Sequence, residues 1–301
     1  MAFTTEQEAQ ILSTLEYLSF YEGVSIDVSS GLSGTSYPAG TKEYPVDNVP
    51  DAVSIANSRG FGTLFIIGNL SLGAGDNVSQ FKIIGQNTVR TLLFVEAAAN
   101  TYQTEIIDCK LTGILDGGTV AEHCDIFDLH YVNGHIHDSM LTGTITLSGN
   151  AIAFIFDCKS GIPGTSTPTI DMGGSGQSLA LRGYDGGIKL TNKTGPDAVS
   201  IDLASGQVKI DDTCVNGQVV VRGDGKVMDF ETESHMGTGT YNGNLELLNE
   251  ANSGYQLHDI WELFGLNPNN PMTIDLTQHS SENLTVLITD NGNGSVTLTR
   301  Q

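Results

Sequence analysis

Val199-Ser200-Ile201-Asp202-Leu203 and, twenty residues on, Val219-Val220-Val221-Arg222 carry the periodicity that decides the fold. Leu179-Ala180-Leu181-Arg182 lies twenty residues before the first of them. Further back, strand-like runs begin near residues 81, 104 and 124, and Gly/Asn/Asp turns separate the runs without any helical period. A repeat near 20 residues suits one coil of a solenoid, whereas a sandwich sets strands roughly 8 to 12 residues apart with hairpin turns between them. Shorter echoes support the repeat: Ile106-Ile107-Asp108-Cys109-Lys110 returns as Ile155-Phe156-Asp157-Cys158-Lys159. The reading is a mainly β chain, a right-handed parallel β-helix-like solenoid, with a β-sandwich or barrel as the alternative.

Three regions follow from this. Residues 1–45 form an N-terminal helix and arm, 46–235 the β-helix-like body, and 236–301 a small α+β module. The first helix spans about residues 4 to 21, with Thr4 or Thr5 able to cap it and Ile11, Leu12, Leu15 and Leu18 as its apolar stripe. A second helix precedes Gly60, with Asp47 or Asn48 near its cap, and leads into Leu64-Phe65-Ile66-Ile67. A short helix there would cover the open end of a solenoid. Near the C-terminus, Leu257–Leu266 reads as an amphipathic helix holding Trp261, Leu263 and Leu266, which we read as a docking module. Strands near Met272–Gln278, Leu284–Thr289 and Ser295–Arg300 follow it.

The two halves of the body differ in pattern. Leu64–Ile67, Leu92–Val95 and Ala151–Phe156 are apolar on consecutive residues, whereas Val199–Leu203 alternates. Side chains alternate faces along a strand, so an unbroken apolar run implies burial of both. The first half is therefore expected to lie against copies of itself, with Phe65, Ile67, Leu93, Val95, Phe154 and Phe156 at the interface.

Composition narrows the function. Thirteen Lys+Arg against 35 Asp+Glu give a formal charge of -22, a surface that repels nucleic-acid phosphates and anionic lipid. No run of about 18 apolar residues calls for membrane insertion. The first residues show no signal peptide, so synthesis in a cytoplasm is expected. Cys109, Cys124, Cys158 and Cys214 are widely spaced and read as free, buried thiols.

Two segments carry a resemblance. His258-Asp-Ile-Trp-Glu-Leu, followed by Gly265-Leu-Asn-Pro, Pro271-Met-Thr and the closing Val296-Thr-Leu-Thr-Arg300, resembles C-terminal modules of tailed-bacteriophage virion proteins. Tyr44-Pro-Val-Asp-Asn-Val-Pro-Asp-Ala52, running on to Arg59-Gly60, resembles the helix and first coil of phage fibre and spike-type proteins. The resemblance implies a virion structural protein: a tail- or baseplate-associated fibre or spike component with a host-attachment role. Viral fibres of this build are most often homotrimers. Its partners would be itself, other virion proteins and a host receptor or glycan. A capsid decoration or head-fibre protein and a cell-surface glycan depolymerase are the alternatives.

Few residues suggest chemistry. His135 and His137 are two apart and share a strand face, and imidazoles gathered around an oligomer axis could hold a transition metal. Pairs of this kind bind iron in some trimeric phage tips, which this one resembles. The competing reading is an exposed turn, because Asn133-Gly134 is a hairpin signal. Asp108, Asp128 and Asp157 each follow apolar residues and could stack as a carboxylate ladder for glycoside hydrolysis, or simply form turns. Asp211-Asp212 and Asp290–Gly294 hint at calcium, but the second lacks the ligand set and distal Glu of an EF-hand loop and reads as a hairpin turn. No catalytic motif is present and no cofactor is implied beyond that metal, so the expectation is a protein that is not an enzyme.

Overall fold

The computed structural model describes residues 4–149, 151–160, 167–173 and 177–251, and the backbone of three further strands at 272–275, 285–290 and 296–300. It divides into two compact units, Met1–Ser253 and Gly254–Gln301. In chain order the first unit holds α1 (Thr5–Leu18), β1 (Val24–Ile26), α2 (Val49–Arg59), β2 (Thr63–Ile66), β3 (Leu70–Leu72), β4 (Lys82–Ile84), β5 (Leu92–Val95), β6 (Glu105–Ile107), β7 (Lys110–Leu115) and β8 (Thr119–Glu122). It continues with β9 (Asp125–Tyr131), β10 (Gly134–His137), β11 (Met140–Leu147), β12 (Ile152–Phe156), β13 (Lys159–Ser160), β14 (Thr169–Asp171), β15 (Ser178–Thr191) and β16 (Val199–Ile210). The last strands of this unit are β17 (Asn216–Gly223), β18 (Lys226–Asp229), β19 (Gly239–Tyr241) and β20 (Asn244–Asn249). The second unit shows an antiparallel sheet of β21 (Met272–Asp275), β22 (Thr285–Asp290) and β23 (Val296–Arg300). The docking residues Trp261, Leu263 and Leu266 lie outside the described residues.

Both described helices start where side-chain chemistry dictates, and the stop of α2 is dictated the same way. At α1, the Gln7 amide donates to Thr4 Oγ1 and the Thr4 amide donates to Gln7 Oε1, a reciprocal cap. At α2, Asn48 Oδ1 accepts from the Asp51 amide, and Gly60 ends the helix at φ +73°, a left-handed position open to glycine. Val49, Ala52, Ile55 and Ala56 bury the inner face of α2. By contrast, α1 buries nothing: Ile11, Leu12, Leu15 and Leu18 are 42–66% exposed. Only its C-terminal end is tied down, by an ion pair between Glu16 and Arg59 and by Tyr17 against Phe61 at 5.2 Å.

Among the described residues of the first unit, all strand pairings are parallel except the β19–β20 hairpin. One ladder runs β1–β2–β4–β6–β8–β10–β12–β15–β16–β17–β20. A second runs β3–β5–β7–β9–β11 and reaches β15, β16 and β18 through β13 and β14. The long β15 and β16 serve both ladders, with a register shift where they bend. The pairing runs from β1 to β20, past both body limits drawn from the sequence, 46 and 235. It draws in Val24–Ile26, which reads as the end of the arm, and Asn244–Asn249, which reads as part of the C-terminal module.

The inward column explains the stacking. Leu64, Ile83, Ile106, Ala121, Ile136, Ile155, Leu181, Ile201 and Val221 sit in register, one per strand, each at most 2% exposed. Successive rungs are not evenly spaced. Glu105 pairs with Val120 and Val120's rung with His135, fifteen residues each, whereas Ala180, Ser200 and Val220 keep the twenty-residue spacing. The strand starts at 104 and 124 therefore belong to different ladders, β6 in one and β9 in the other.

The passage from one ladder to the next uses a repeated corner. Asp108, His123, Asp138 and Asp157 have φ between +50° and +56°, and Gly183 continues the series at +63°. Asp and His are among the few non-glycine residues that accept this conformation readily. The next residue turns inward: Cys109, Cys124, Ser139, Cys158 and Tyr184 are all buried. The small thiols and hydroxyl fill the inside of the bend, with the Cys124 amide donating to Ser139 Oγ at 3.0 Å. This corner is what the Asp-Cys-Lys echo records.

Candidate functional site

His135 and His137 lie on β10, in the middle of the first ladder with β8 on one side and β12 on the other, both parallel. The hairpin expected at Asn133-Gly134 does not form. Gly134 instead opens β10 at φ +130°, where a Cβ would meet the Thr119 carbonyl oxygen at 2.1 Å. Close approach of the neighbouring rung, not a hairpin turn, is what demands glycine here.

The two imidazoles share a face, as the spacing predicts, but have different surroundings. His135 stacks on Phe154, with ring centroids 4.9 Å apart. His137 sits beside carboxylates: its Nε2 is 4.0 Å from Glu122 Oε2 and its Nδ1 is 3.3 Å from Asp138 Oδ2. The corner residue His123 joins them, with Nδ1 3.9 Å from Glu122 Oε1. Donor atoms of Glu122, His123 and Asp138 all lie within 4.8 Å of one another. The sequence hides this group because Glu122 and His137 are register partners on adjacent rungs, and the corner residue after each completes the set.

The outward face of the first ladder corrects part of the interface reading. Phe65, Phe154 and Phe156 point out of the core and are half-buried, as is Ile67 just beyond β2. Leu93 and Val95 do not join them: both are fully buried inside the chain's own core, and Phe94 is the outward residue at 42% exposure. Four consecutive apolar residues give no phase for the alternation, so the inward pair could not be told from the outward one. In register, Phe65, Ile84 and Ile107 form one outward column that continues through Glu122 and His137 to Phe156. Phe154 and Phe156 lie 5.6 Å apart, and the Arg182 guanidinium stands 5.9 Å from the Phe156 ring.

The three carboxylates considered for hydrolysis do not form one ladder. Asp108 and Asp157 occupy the corner column with His123 and Asp138 between them. Asp128 sits at a separate bend within β9, where its Oδ1 accepts from the Thr144 amide at 3.0 Å. Asp128 there caps backbone, a structural use of the carboxylate. Asp211 is likewise taken. Burial works against its charge, yet Lys189 at 2.6 Å and the Thr213 hydroxyl hold its carboxyl below the ordinary value. Asp212, Asp229 and Glu231 gather nearby as an all-acidic group.

The four cysteines are free and buried. Burial pushes the thiols up, to about 12 at Cys124 and Cys158 and about 11 at Cys214, and Cys109 shifts the same way. They stay protonated and unreactive in this environment. Among the described residues, no helix is long and apolar enough to cross a membrane. Comparison with protein-family models, with curated proteins and with solved structures returned no match.

Proposed function

We propose that this chain is a right-handed parallel β-helix and a non-enzymatic structural protein of a tailed-phage virion. It assembles with copies of itself, as a homotrimer, into a tail- or baseplate-associated fibre or spike with a role in host attachment. The parallel register over successive rungs supports the β-helix reading over a sandwich, whose sheets are antiparallel. The observation that carries the assembly is the outward column of Phe65, Ile84, Ile107 and Phe156 with its neighbour Phe154. Bulky apolar side chains there contribute nothing to the inward core, and apolar surface of this kind, here interrupted by Glu122 and His137, supports an interaction site. The exposed apolar side of α1 supports docking on other virion proteins. The surface charge of -22 disfavours nucleic acid and anionic membrane as partners. The virion assignment rests on the resemblance of residues 44–60 and of the C-terminal segment to phage proteins.

Size-exclusion chromatography with light scattering tests the assembly. The full chain at micromolar concentration is expected to elute as three copies. Phe154→Asp is expected to elute as a single chain with an unchanged far-ultraviolet circular dichroism spectrum. A wild-type monomer overturns the proposal.

A further inference from the structure

Within the outward column, between Ile107 and Phe156, the described residues of the first ladder carry a compact group of metal-binding side chains to which the assembly reading gives no role. It is a two-by-two block. Glu122 and His137 are outward residues in register on β8 and β10. His123 and Asp138 are the corner residues that follow them, at φ +52° and +50°. The parallel register places one rung's Glu-His directly against the next rung's His-Asp, so each imidazole has a carboxylate on either side.

We propose that Glu122, His123 and Asp138 bind one divalent transition-metal ion, of which zinc is the representative, within a single chain, with water in the remaining position. The donor set is one imidazole and two carboxylates, which neutralises a divalent cation and mixes nitrogen and oxygen as such ions prefer. The geometry fits. Ligand bonds of about 2.1 Å in a tetrahedron place donor atoms about 3.4 Å apart. Ligand atoms of Glu122, His123 and Asp138 lie within 4.8 Å of one another, with His123 Nδ1 3.9 Å from Glu122 Oε1. Small side-chain rotations would bring them to ligand spacing. His137 stands beside the set and reaches Asp138 through Nδ1 and Glu122 through Nε2, so a single ion could not use both approaches. The ligands are also accessible: the Glu122 side chain is 27% exposed, His123 and Asp138 55% and 51%. Ions can enter, while the backbone carrying the ligands is fixed by two rungs of a sheet. His135 is not a member, because its ring is engaged with Phe154. The site thus differs from an axial site built on a His135–His137 pair, which would need several chains.

The all-acidic group at Asp212, Asp229 and Glu231 has no comparable claim. It offers no imidazole, and Asp229 Oδ1 is committed to Thr232.

The test is isothermal titration of zinc chloride into the full chain after chelator treatment and dialysis. One ion per chain is expected. His123→Asn keeps a residue that accepts a left-handed corner, and Glu122→Gln keeps a polar outward residue. Each should weaken zinc binding at least about tenfold, with the thermal melt of the apo protein unchanged. His135→Gln should bind as wild type, and millimolar calcium should not displace the zinc. Cobalt substituted for zinc should give visible d–d absorption that His123→Asn abolishes. Absence of saturable binding, binding that survives both His123→Asn and Glu122→Gln, or binding lost in His135→Gln overturns the proposal. A monomeric chain that still binds one zinc would remove the assembly reading and leave this site standing.

Discussion

The two halves of the first ladder present the same inside and different outsides, the first rich in aromatic residues and the second without them. From β2 to β12 the inward residues are Leu64, Ile83, Ile106, Ala121, Ile136 and Ile155; from β15 to β17 they are Leu181, Ile201 and Val221. Nothing in that column marks a boundary. Outside, the first half carries Phe65, Ile84, Ile107, Phe154 and Phe156 among Lys82, Glu105, Glu122, His135 and His137. From β15 to β17 the aromatic residues are gone and the positions hold Ala180, Arg182, Ser200, Asp202 and Arg222, with Val220 the bulky apolar exception. Parallel stacking therefore needs only the inner residue of each pair. The outer residue is free of that constraint, so bulky apolar side chains there answer to something other than the fold of the isolated chain.

The largest effect should come from the column the halves share. Ile155→Asp puts a carboxylate at a fully buried position between Ile136 and Leu181. It should cost about 4 kcal/mol or more, because the charge can neither hydrate nor find a partner. Ile201→Asp in the second half should cost as much. Chemical denaturation of the two variants checks this. A mild Ile201→Asp beside a severe Ile155→Asp would mean that the second half is not held by the same inner column.

How much of this was legible follows from which side of the chain a residue reports on. The Asp108-Cys109 and Asp157-Cys158 echo was readable because a left-handed corner accepts few residue types and the bend behind it admits only small ones. The rungs between went unseen because His123-Cys124 and Asp138-Ser139 meet the same two requirements with different residues. Gly134 misled because a glycine under a neighbouring carbonyl and a glycine in a hairpin look alike in sequence. Leu92–Val95 misled because four apolar residues carry no phase. The Glu122–His137 pairing could not be read at all, since it depends on a fifteen-residue rung among neighbours of about twenty. Register across rungs is a tertiary fact.

A smaller effect separates the halves by their thiols. Cys109, Cys124 and Cys158 line the corner of the first half and Cys214 lies in the second. Burial holds Cys158 neutral up to about 12, whereas an unfolded thiol ionises near about 8.5. A pKa raised by folding gives stability that is intact below the unfolded value and lost as pH climbs toward the folded one. Stability should therefore fall between about pH 8.5 and pH 12. Cys158→Ser, which copies the neighbouring Ser139, removes one titrating group from the first half. It should flatten that decline by about 2 kcal/mol at pH 10. Denaturation midpoints of both proteins at pH 7 and pH 10 measure it. Equal declines would show that Cys158 does not titrate in the unfolded chain as assumed.

The smallest effect is the most pointed. Ser200 occupies the outward position in register with Ala180, two rungs along from Phe154, and is half-buried. An aspartate there can reach water, so Ser200→Asp should shift stability by no more than about 0.5 kcal/mol and leave the mass in solution unchanged. Phe154→Asp is the same charge on the same face of the ladder, yet it should dissociate the assembly. If Ser200→Asp also lowers the mass in solution, the polar second half is buried between chains too. The contrast between the two outer faces would then lie in how an interface is built and not in where it ends.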